Sequence, residues 1–394
     1  MIPINIPNLA GNEEKYLVEC VRSNFVSSLG QFVTRFEKEV ASLSGLPYAV
    51  ATSSGTCALH LALRSVGVGP GDLVAVPSFT FIATANAISH CGAKPWLFDC
   101  ETARWTLSAE QLESALARAA TFSNGVLMHK TLGRRIAAIV PVYSLGNTPD
   151  MAAVGHIARQ FDLPVVADAA PAIGIRDCDK VLSGARDLLC FSFNGNKTVT
   201  CGGGGMILGS NCDLLQNIRH TASTARASTD YDYDQVGYNY RMTNLQAAVG
   251  CAQLERLEQF LQRKHDLRRR YSEAVAELPD CRPFPALGRN DSTFWVSGLM
   301  VDHNAPFGAA RLCEGLQAAG IEARPFWKPV HLQKPYYGCP IEDMATTANI
   351  WDRIIALPSS TGITDEEVNS VLAALRTVCS TLSADSRGSA AIPR

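Results

Sequence analysis

The stretch Asp187–Ser210, DLLCFSFNGNKTVTCGGGGMILGS, places one lysine between a strand-like apolar run and four consecutive glycines. The run is Cys190–Phe193, and the glycines occupy positions 202–205. Glycines allow another backbone or a ligand to approach closely, because they carry no side chain. A lysine that acts as an amine nucleophile needs such a fixed and unobstructed position, whereas a solvated lysine does not. We therefore interpret Lys197 as a candidate nucleophile, with a surface lysine in a glycine-rich turn as the alternative.

Three other segments predict buried strands. They are 73–76, 136–140 and 164–167. Each is a continuous apolar run rather than an alternating one, which is typical of a parallel sheet covered on both faces. Helical patterns lie between them, at 54–63 and 150–161. Strands that alternate with helices predict a large α/β domain with a mostly parallel sheet over residues 1–250.

The carboxyl-terminal part has a different organisation. The periodicity predicts one long helix near 245–276 that links the two parts of the chain, and its basic run at 263–270 is typical of a solvated helix face. Mixed strand and helix patterns over 251–382 predict a smaller α+β domain. Small polar residues and a proline at 383–394 predict a disordered tail.

Composition narrows the class of protein. The chain has 394 residues, 47% of them hydrophobic and 18% charged, with a net charge of −2. No global field would attract nucleic acid or an anionic membrane, and no apolar run approaches the ~20 residues needed to span a bilayer. The amino terminus lacks the pattern of a signal peptide. We expect a cytoplasmic enzyme with neither a nucleic-acid partner nor a membrane partner.

The thirteen cysteines do not form a metal-binding pattern. Their number is odd, and no pair shows CxxC spacing. Most are expected to be small buried hydrophobes in a reducing compartment. We therefore expect no metal site.

Asp168 follows the predicted strand 164–167. An acidic residue at the carboxyl end of a parallel strand lies where α/β sheets bind their ligands. Pyridoxal phosphate requires one carboxylate beside its ring nitrogen, because the protonated ring then withdraws electrons from the substrate carbanion. A turn or helix-capping role is the alternative for Asp168 alone. Together with Lys197, it makes a more specific pair than either residue makes separately.

Other candidate contacts surround this pair. Ser54-Gly55-Thr56 begins a predicted helix and offers hydroxyl and N–H groups to an anion, although an ordinary capped helix would look the same. Ser192 could add a hydroxyl to the same phosphate. Phe81 is either a core residue or a platform for a cofactor, and Asn239 is either a loop residue or a ligand contact.

The chain resembles the DegT-type sugar-nucleotide aminotransferases, a pyridoxal-phosphate family of fold type I. The resemblance covers roughly Ile2–Leu382. The matching stretches are IPNLAGNEEKY, FVSSLGQFVTRFEKEVA, SSGTCALHLAL, VPSFTFIATANAI, FSFNGNKTVT and VGYNYRMTNLQAAVGCAQLE. It implies a large domain with a mostly parallel sheet and a smaller carboxyl-terminal α+β domain.

The resemblance also implies roles for individual residues. Lys197 matches the family's Schiff-base lysine, and Asp168 matches the carboxylate at the pyridine nitrogen. Asn239 matches a residue that reaches the cofactor of the neighbouring subunit, which implies a homodimer with shared active sites. The remaining matches are Gly55, Thr56 and Ser192 for phosphate contacts, Phe81 for the stacked aromatic ring, and Ser28 and His331 for substrate contacts.

Two positions depart from the family pattern. Pro171 stands where the family usually has a polar residue near the phenolic oxygen of the cofactor, and Gly203 replaces the usual glutamate. Neither change touches Lys197 or Asp168, so activity is expected.

The expected reaction transfers an amino group from L-glutamate to C4 of a nucleotide-linked 4-keto-6-deoxysugar. Two stretches, HTASTARASTDYDYDQVGYNYRM and FVSSLGQFVTRFEK, look most similar to the legionaminic-acid branch, which implies a UDP-linked 4-keto-6-deoxy-N-acetylhexosamine. The alternative is a perosamine-type enzyme that acts on GDP-4-keto-6-deoxymannose. A non-catalytic relative that binds the cofactor is the alternative from another class. The family's dehydratase branch is disfavoured, because it carries a histidine in place of Lys197.

Overall fold

The computed structural model of the chain describes residues 1–175 and 184–389. Its helices are α1 (Glu13–Arg22), α2 (Gln31–Ser44), α3 (Gly55–Ser65), α4 (Ile82–His90), α5 (Ala109–Ala119), α6 (Met151–Gln160), α7 (Cys212–Ala222), α8 (Asn244–Leu254), α9 (Leu257–Ala276), α10 (Ala309–Ala318), α11 (Ala345–Ile350) and α12 (Asp365–Ser389). Its strands are β1 (Tyr48–Thr52), β2 (Leu73–Pro77), β3 (Lys94–Phe98), β4 (Ala120–Ser123), β5 (Val126–His129), β6 (Arg134–Ile139), β7 (Val166–Asp168), β8 (Leu188–Ser192), β9 (Gly205–Gly209), β10 (Cys281–Pro283), β11 (Gly298–Val301), β12 (Arg324–Pro325) and β13 (Ile354–Ala356).

A large twisted sheet organises the amino-terminal part. Strands β3, β2 and β6 pair in parallel, and so do β7 and β8. Two parallel bridges, Ile139 with Val165 and Val142 with Asp168, join β6 to β7. At the other side, β9 is antiparallel to both β8 and β1. The order is therefore β3-β2-β6-β7-β8-β9-β1, with the antiparallel hairpin β4-β5 attached to the start of β6. The prediction of a mostly parallel sheet is confirmed for the strands that carry the site.

Helices cover both faces of this sheet. In β2, Leu73 and Ala75 face one apolar cluster, whereas Val74 and Val76 face another. The first cluster includes side chains of α1, α2, α5, α6 and α8, and the second includes those of α3, α4 and α7. A strand that is buried on both faces must be apolar throughout, which explains the continuous apolar runs in the sequence.

A second sheet organises the carboxyl-terminal part. Its order is β10-β11-β13-β12, and every pair is antiparallel. It packs with α9, α10 and α12 around a separate apolar cluster that includes Leu299, Leu312 and Leu375. This is the smaller α+β part that the sequence predicts.

The helix expected near 245–276 is two helices rather than one. Helix α8 ends at Leu254 and α9 begins at Leu257. Arg256 leaves the helical region of the backbone, with φ −114° and ψ 9°. Its guanidinium donates to Asn8 Oδ1 (3.1 Å), and Glu255 accepts from Tyr16 (2.5 Å). Both residues at the break are therefore held by the amino-terminal segment, which the periodicity of the helix itself cannot reveal.

The interpretation of the basic run at 263–270 as a solvated face is wrong for two of its cations. Lys264 and Arg268 are 1% and 6% exposed. They are four residues apart, so they lie on one face of α9, the face that also carries the buried Leu267 and Tyr271. The remaining arginines of the run form ion pairs at the surface, for example Arg270 with Asp365 (2.7 Å).

The tail is also shorter than expected. Helix α12 continues to Ser389, so the prediction of disorder is wrong for residues 383–389, and 390–394 lie outside the described residues. Ser383 Oγ donates to Asp280 Oδ2 (2.6 Å) and thereby attaches this end of the helix to the loop before β10. In the described ranges, no helix combines the length and the apolar character needed to cross a membrane.

Candidate active site

A cavity of about 310 Å³ lies where β7 and β8 end and α3 begins. Six of the nine site residues expected from the sequence line it: Gly55, Thr56, Phe81, Asp168, Ser192 and Lys197. This is the edge of a parallel sheet at which α/β proteins bind their ligands. The fold therefore brings the proposed amine, carboxylate and anion-binding groups together.

Asp168 is the last residue of β7 and is buried. Thr84 Oγ1 donates a hydrogen bond to its Oδ2 (2.7 Å), and the backbone N–H of Ala170 donates to its Oδ1 (3.1 Å). Burial raises the pKa of this carboxyl, while the two hydrogen bonds and the charge of Lys197 oppose that rise. The side chain is thus fixed by two donors and presented to the cavity.

Lys197 lies in the loop after β8 and is half-buried. Its backbone N–H donates to Asn194 O (2.9 Å), and its Nζ is 3.9 Å from the centre of the Trp295 ring. Burial lowers its pKa to about 8, and the charge of Asp168 opposes this effect. An amine with this pKa is deprotonated in about a tenth of molecules at pH 7, far more than for an ordinary lysine, and the deprotonated form is the one that acts as a nucleophile or general base.

The start of α3 forms the anion-binding end of the cavity. The Ser54 side chain caps the helix by accepting from Cys57 N–H (3.1 Å), so the hydroxyl of Thr56 and the first N–H groups of the helix lie at the cavity. A Cβ atom on Gly55 would lie 2.7 Å from Ser192 Cβ. Only glycine therefore lets the helix start come this close to the end of β8.

The glycine run has a related explanation. A Cβ atom on Gly205 would lie 2.5 Å from Ser54 O, so β9 also needs a glycine where it passes the start of α3. Gly204 has a φ of +137°, which favours glycine. The close approach of another backbone, expected from the sequence, is observed here.

An aromatic wall closes another side of the cavity. Phe81 is 51% exposed, so it is not a core residue. Its ring centre lies 5.6 Å from that of Trp327, which lies 6.1 Å from that of Trp295. Sequence reasoning missed Trp295 and Trp327 as cavity residues, and it also missed Thr84. The only sequence signal for the two tryptophans is the rarity of that residue type, and nothing in its helix distinguishes Thr84.

Three expected site residues lie outside this cavity in the single chain. Asn239 is exposed and forms a bridge with Ser223. Ser28 O accepts a weak hydrogen bond from Arg241 (3.4 Å). His331 Nδ1 lies 2.7 Å from Ser78 Oγ, and burial lowers the pKa of this histidine. Their assigned roles remain predictions.

Both departures from the family pattern lie at the cavity. Pro171 contributes no side-chain donor, and its carbonyl accepts from Thr293 Oγ1 (3.0 Å). A Cβ atom on Gly203 would lie 3.4 Å from Gln246 Nε2, which is an ordinary contact. A Cβ atom at position 203 therefore meets no steric obstacle.

Comparisons with known proteins agree with this geometry. A sequence model of the DegT/DnrJ/EryC1/StrS aminotransferase family matches residues 7–376. The GDP-perosamine synthase of Caulobacter vibrioides is 36% identical over 378 residues, which cover 95% of this chain and 97% of that protein. The putative pyridoxal phosphate-dependent aminotransferase EpsN of Bacillus subtilis is 34% identical, with 95% of each chain covered.

The fold has the same relatives. The crystal structure of a DegT DnrJ EryC1 StrS aminotransferase from Brucella abortus superposes with a TM-score of 0.82 at 28% identity, and the match covers 93% of this chain and 95% of that one. The similarity to these aminotransferases thus covers both the fold and almost the whole sequence. On these grounds the chain belongs to the DegT/DnrJ/EryC1/StrS aminotransferase family.

Proposed function

We propose that this enzyme transfers the amino group of L-glutamate to C4 of a nucleotide-linked 4-keto-6-deoxysugar, with pyridoxal phosphate bound in the cavity. The observation that carries the proposal is that the amine of Lys197 and the carboxylate of Asp168 line one cavity. Pyridoxal phosphate needs an amine for its aldehyde, a carboxylate for its ring nitrogen and an anion site for its phosphate. The cavity offers all three, so the residues present fit this cofactor.

When bound, the cofactor supplies an aldehyde and an electron-withdrawing ring. Asp168 would face the ring nitrogen, since Thr84 and Ala170 fix its carboxylate in one orientation. Thr56, Ser192 and the first N–H groups of α3 would bind the phosphate. Phe81 and Trp327 would flank the ring and exclude water from it.

Lys197 would bind the cofactor and move protons at its Nζ atom. A general acid–base group is most effective when its pKa lies near the working pH, because it can then both accept and donate. The lowered pKa of about 8 brings Lys197 towards this range. Cavity walls that are largely apolar keep bulk water away from the amine and so maintain the shift.

The choice of sugar rests on the relatives. The similarity of this chain to a GDP-perosamine synthase supports a GDP-linked 4-keto-6-deoxymannose as substrate. The UDP-linked N-acetylhexosamine placed first in the sequence analysis is the second candidate, supported by the two stretches quoted there. The two substrates differ in the base and at sugar C2, so they can be separated by assay.

Two measurements test the proposal. Borohydride treatment of the enzyme incubated with pyridoxal phosphate should add a phosphopyridoxyl group to the peptide that contains Lys197, and mass analysis detects it. L-glutamate should then convert the cofactor to pyridoxamine phosphate. Labelling without this conversion would identify a non-catalytic cofactor-binding relative, and absence of labelling would refute the proposal. GDP-, UDP- and dTDP-linked 4-ketosugars, assayed in parallel with glutamate, identify the acceptor.

A homodimer with shared sites is part of the same proposal. Asn239 is exposed and outside the cavity of its own chain, which agrees with a role in the site of a partner. Lys197→Ala and Asn239→Ala subunits should each be inactive as homodimers. Mixed after dissociation, they should regain about a quarter of wild-type activity, since half of the dimers then contain one intact site. If Asn239 serves its own chain, the mixture stays inactive.

A further inference from the structure

Trp295 joins the reactive lysine to its supporting loop. The centre of its ring lies 3.9 Å from Lys197 Nζ, and the ring forms part of the cavity wall. Its Nε1–H donates to Asn196 O (2.7 Å). Asn196 precedes Lys197 in the chain, so the indole is anchored to the loop whose side chain it contacts.

Lys264 binds the backbone of the same tryptophan. Its Nζ donates to Trp295 O (2.8 Å) and also to Ser359 O. Lys264 is 1% exposed, and among the described residues no charged group offsets the effect of this burial on its pKa. Burying a cation without a counter-charge opposes folding. A lysine kept in such a place is better explained by what it holds than by a contribution to stability.

We propose that Trp295 is a further catalytic residue, which holds the Lys197 amine whenever that amine is not bonded to the cofactor, and that Lys264 is a positioning residue that acts through Trp295. The inference deepens the proposed function and rests on it. It assigns a role to two residues from the carboxyl-terminal part of the chain, which also contributes Trp327 to the cavity.

The chemistry of an indole suits this role. The face of the ring attracts a positive amine by its charge, and a neutral amine keeps a weaker N–H contact with the same face. The ring accepts no proton from Lys197, so the lysine remains free to exchange protons with the substrate. A carboxylate in the same place would stabilise the ammonium form and raise the pKa of Lys197. Trp295 therefore positions the amine in both protonation states and favours the ammonium form less than a carboxylate would.

The test measures how fast added pyridoxal phosphate becomes covalently attached to Lys197 in the apo enzyme. Attachment is followed by absorbance and confirmed by borohydride trapping. At about pH 9.5 the amine is mostly neutral, so the rate reports its position rather than its charge. Trp295→Leu and Lys264→Met should each slow attachment about tenfold, because the amine samples more orientations.

The double variant distinguishes action through Trp295 from an independent structural effect. If Lys264 acts through Trp295, the double variant should be no slower than Trp295→Leu alone. Multiplied losses would overturn the positioning role. Trp295→Phe keeps a ring face and loses only the bond to Asn196, so it should lie between wild type and Trp295→Leu. Should Lys264→Met fail to fold, Lys264→Leu also removes the donor and completes the same cycle. Lys264→Gln keeps an N–H donor and should restore part of the attachment rate.

Tyr271→Phe is the matched control. Tyr271 lies on α9, is buried, and donates to Pro358 O (2.7 Å), next to the Ser359 carbonyl that Lys264 also holds. It is expected to lower stability without slowing attachment. A wild-type rate in Trp295→Leu overturns the inference and leaves the proposed function intact. Absence of attachment in the wild type refutes the proposed function itself.

Discussion

Lys197 and Lys264 are two lysines of one chain that have the same electrostatic signature and different surroundings. Burial lowers the pKa of both, to about 8 for Lys197 and about 7 for Lys264. Lys197 lines a cavity that it shares with Asp168. Lys264 lies on α9, does not line that cavity, and donates to two backbone carbonyls.

The difference shows that a lowered pKa indicates burial rather than function. Both amines have lost contact with water, and that loss lowers the pKa of each whether or not it lines the cavity. What distinguishes Lys197 is access for a ligand, a nearby carboxylate and an anion-binding helix start. Perturbed titration becomes evidence for an active site only when such geometry accompanies it.

Removal of each amine tests most directly whether the two lysines differ in function. Lys197→Ala should lower turnover at least about 10³-fold, because it removes both the point of cofactor attachment and the proton-transfer group. Lys264→Met should lower turnover only about tenfold, through the position of Trp295. Steady-state assays with glutamate and the accepted ketosugar measure both effects.

Thermal unfolding provides the control for this pair. Lys197→Ala should unfold near the wild-type temperature, since the residue lies at a cavity and holds no structural hydrogen bond through its side chain among those observed. Equal losses of turnover in the two variants would remove the functional distinction between the lysines.

Asp168→Asn tests the nearby carboxylate, which Lys197 has and which Lys264, within the described part of the chain, lacks. The amide keeps the size of the side chain but removes its negative charge, so turnover should fall on the order of 10²–10³-fold. Borohydride should still label Lys197, because attachment of the cofactor does not require the carboxylate. Wild-type turnover in this variant would show that the proposed partnership with the ring nitrogen is mistaken.

Local sequence indicated several residues that line the cavity, because they lie in contexts with clear rules, while their roles stay predictions. Asp168 follows an apolar run, and Lys197 lies between such a run and four glycines. The start of α3 was recognisable from its serine cap. These signals depend on the strand ends and helix starts themselves, which local sequence specifies.

The features that the sequence did not reveal depend on contacts between distant segments. Trp295 lines the cavity but belongs to the carboxyl-terminal part, and Thr84 donates to Asp168 although the two are 84 residues apart in the chain. Lys264 and Arg268 looked solvated because the charge pattern does not show which face of α9 packs inward. Their spacing with Leu267 and Tyr271 was the available sign of a buried face.

A pH titration of cofactor attachment measures the pKa of Lys197. With a pKa of about 8, the attachment rate should reach half of its maximum near pH 8 instead of the 10.5 of an ordinary lysine, and should be about tenfold below the maximum at pH 7. Asp168 raises the pKa of Lys197, so Asp168→Asn should move the midpoint to lower pH. A midpoint near 10.5 would mean that the amine is hydrated.

The lowered pKa of Lys264 should instead appear as a pH dependence of the free energy of unfolding. Its pKa is 10.5 in the unfolded chain and about 7 in the fold, so the unfolded state binds more protons between these values and stability rises with pH there. The difference in unfolding free energy between wild type and Lys264→Met should change by about 1.4 kcal/mol per pH unit in this window, in favour of wild type as pH rises. Below pH 7 the lysine is charged in both states, so the difference should become constant. Urea unfolding of both proteins from pH 6 to 10 measures this difference in free energy. A difference that does not change with pH would mean that Lys264 reaches water. Its hydrogen bonds to Trp295 and Ser359 would then not persist in solution.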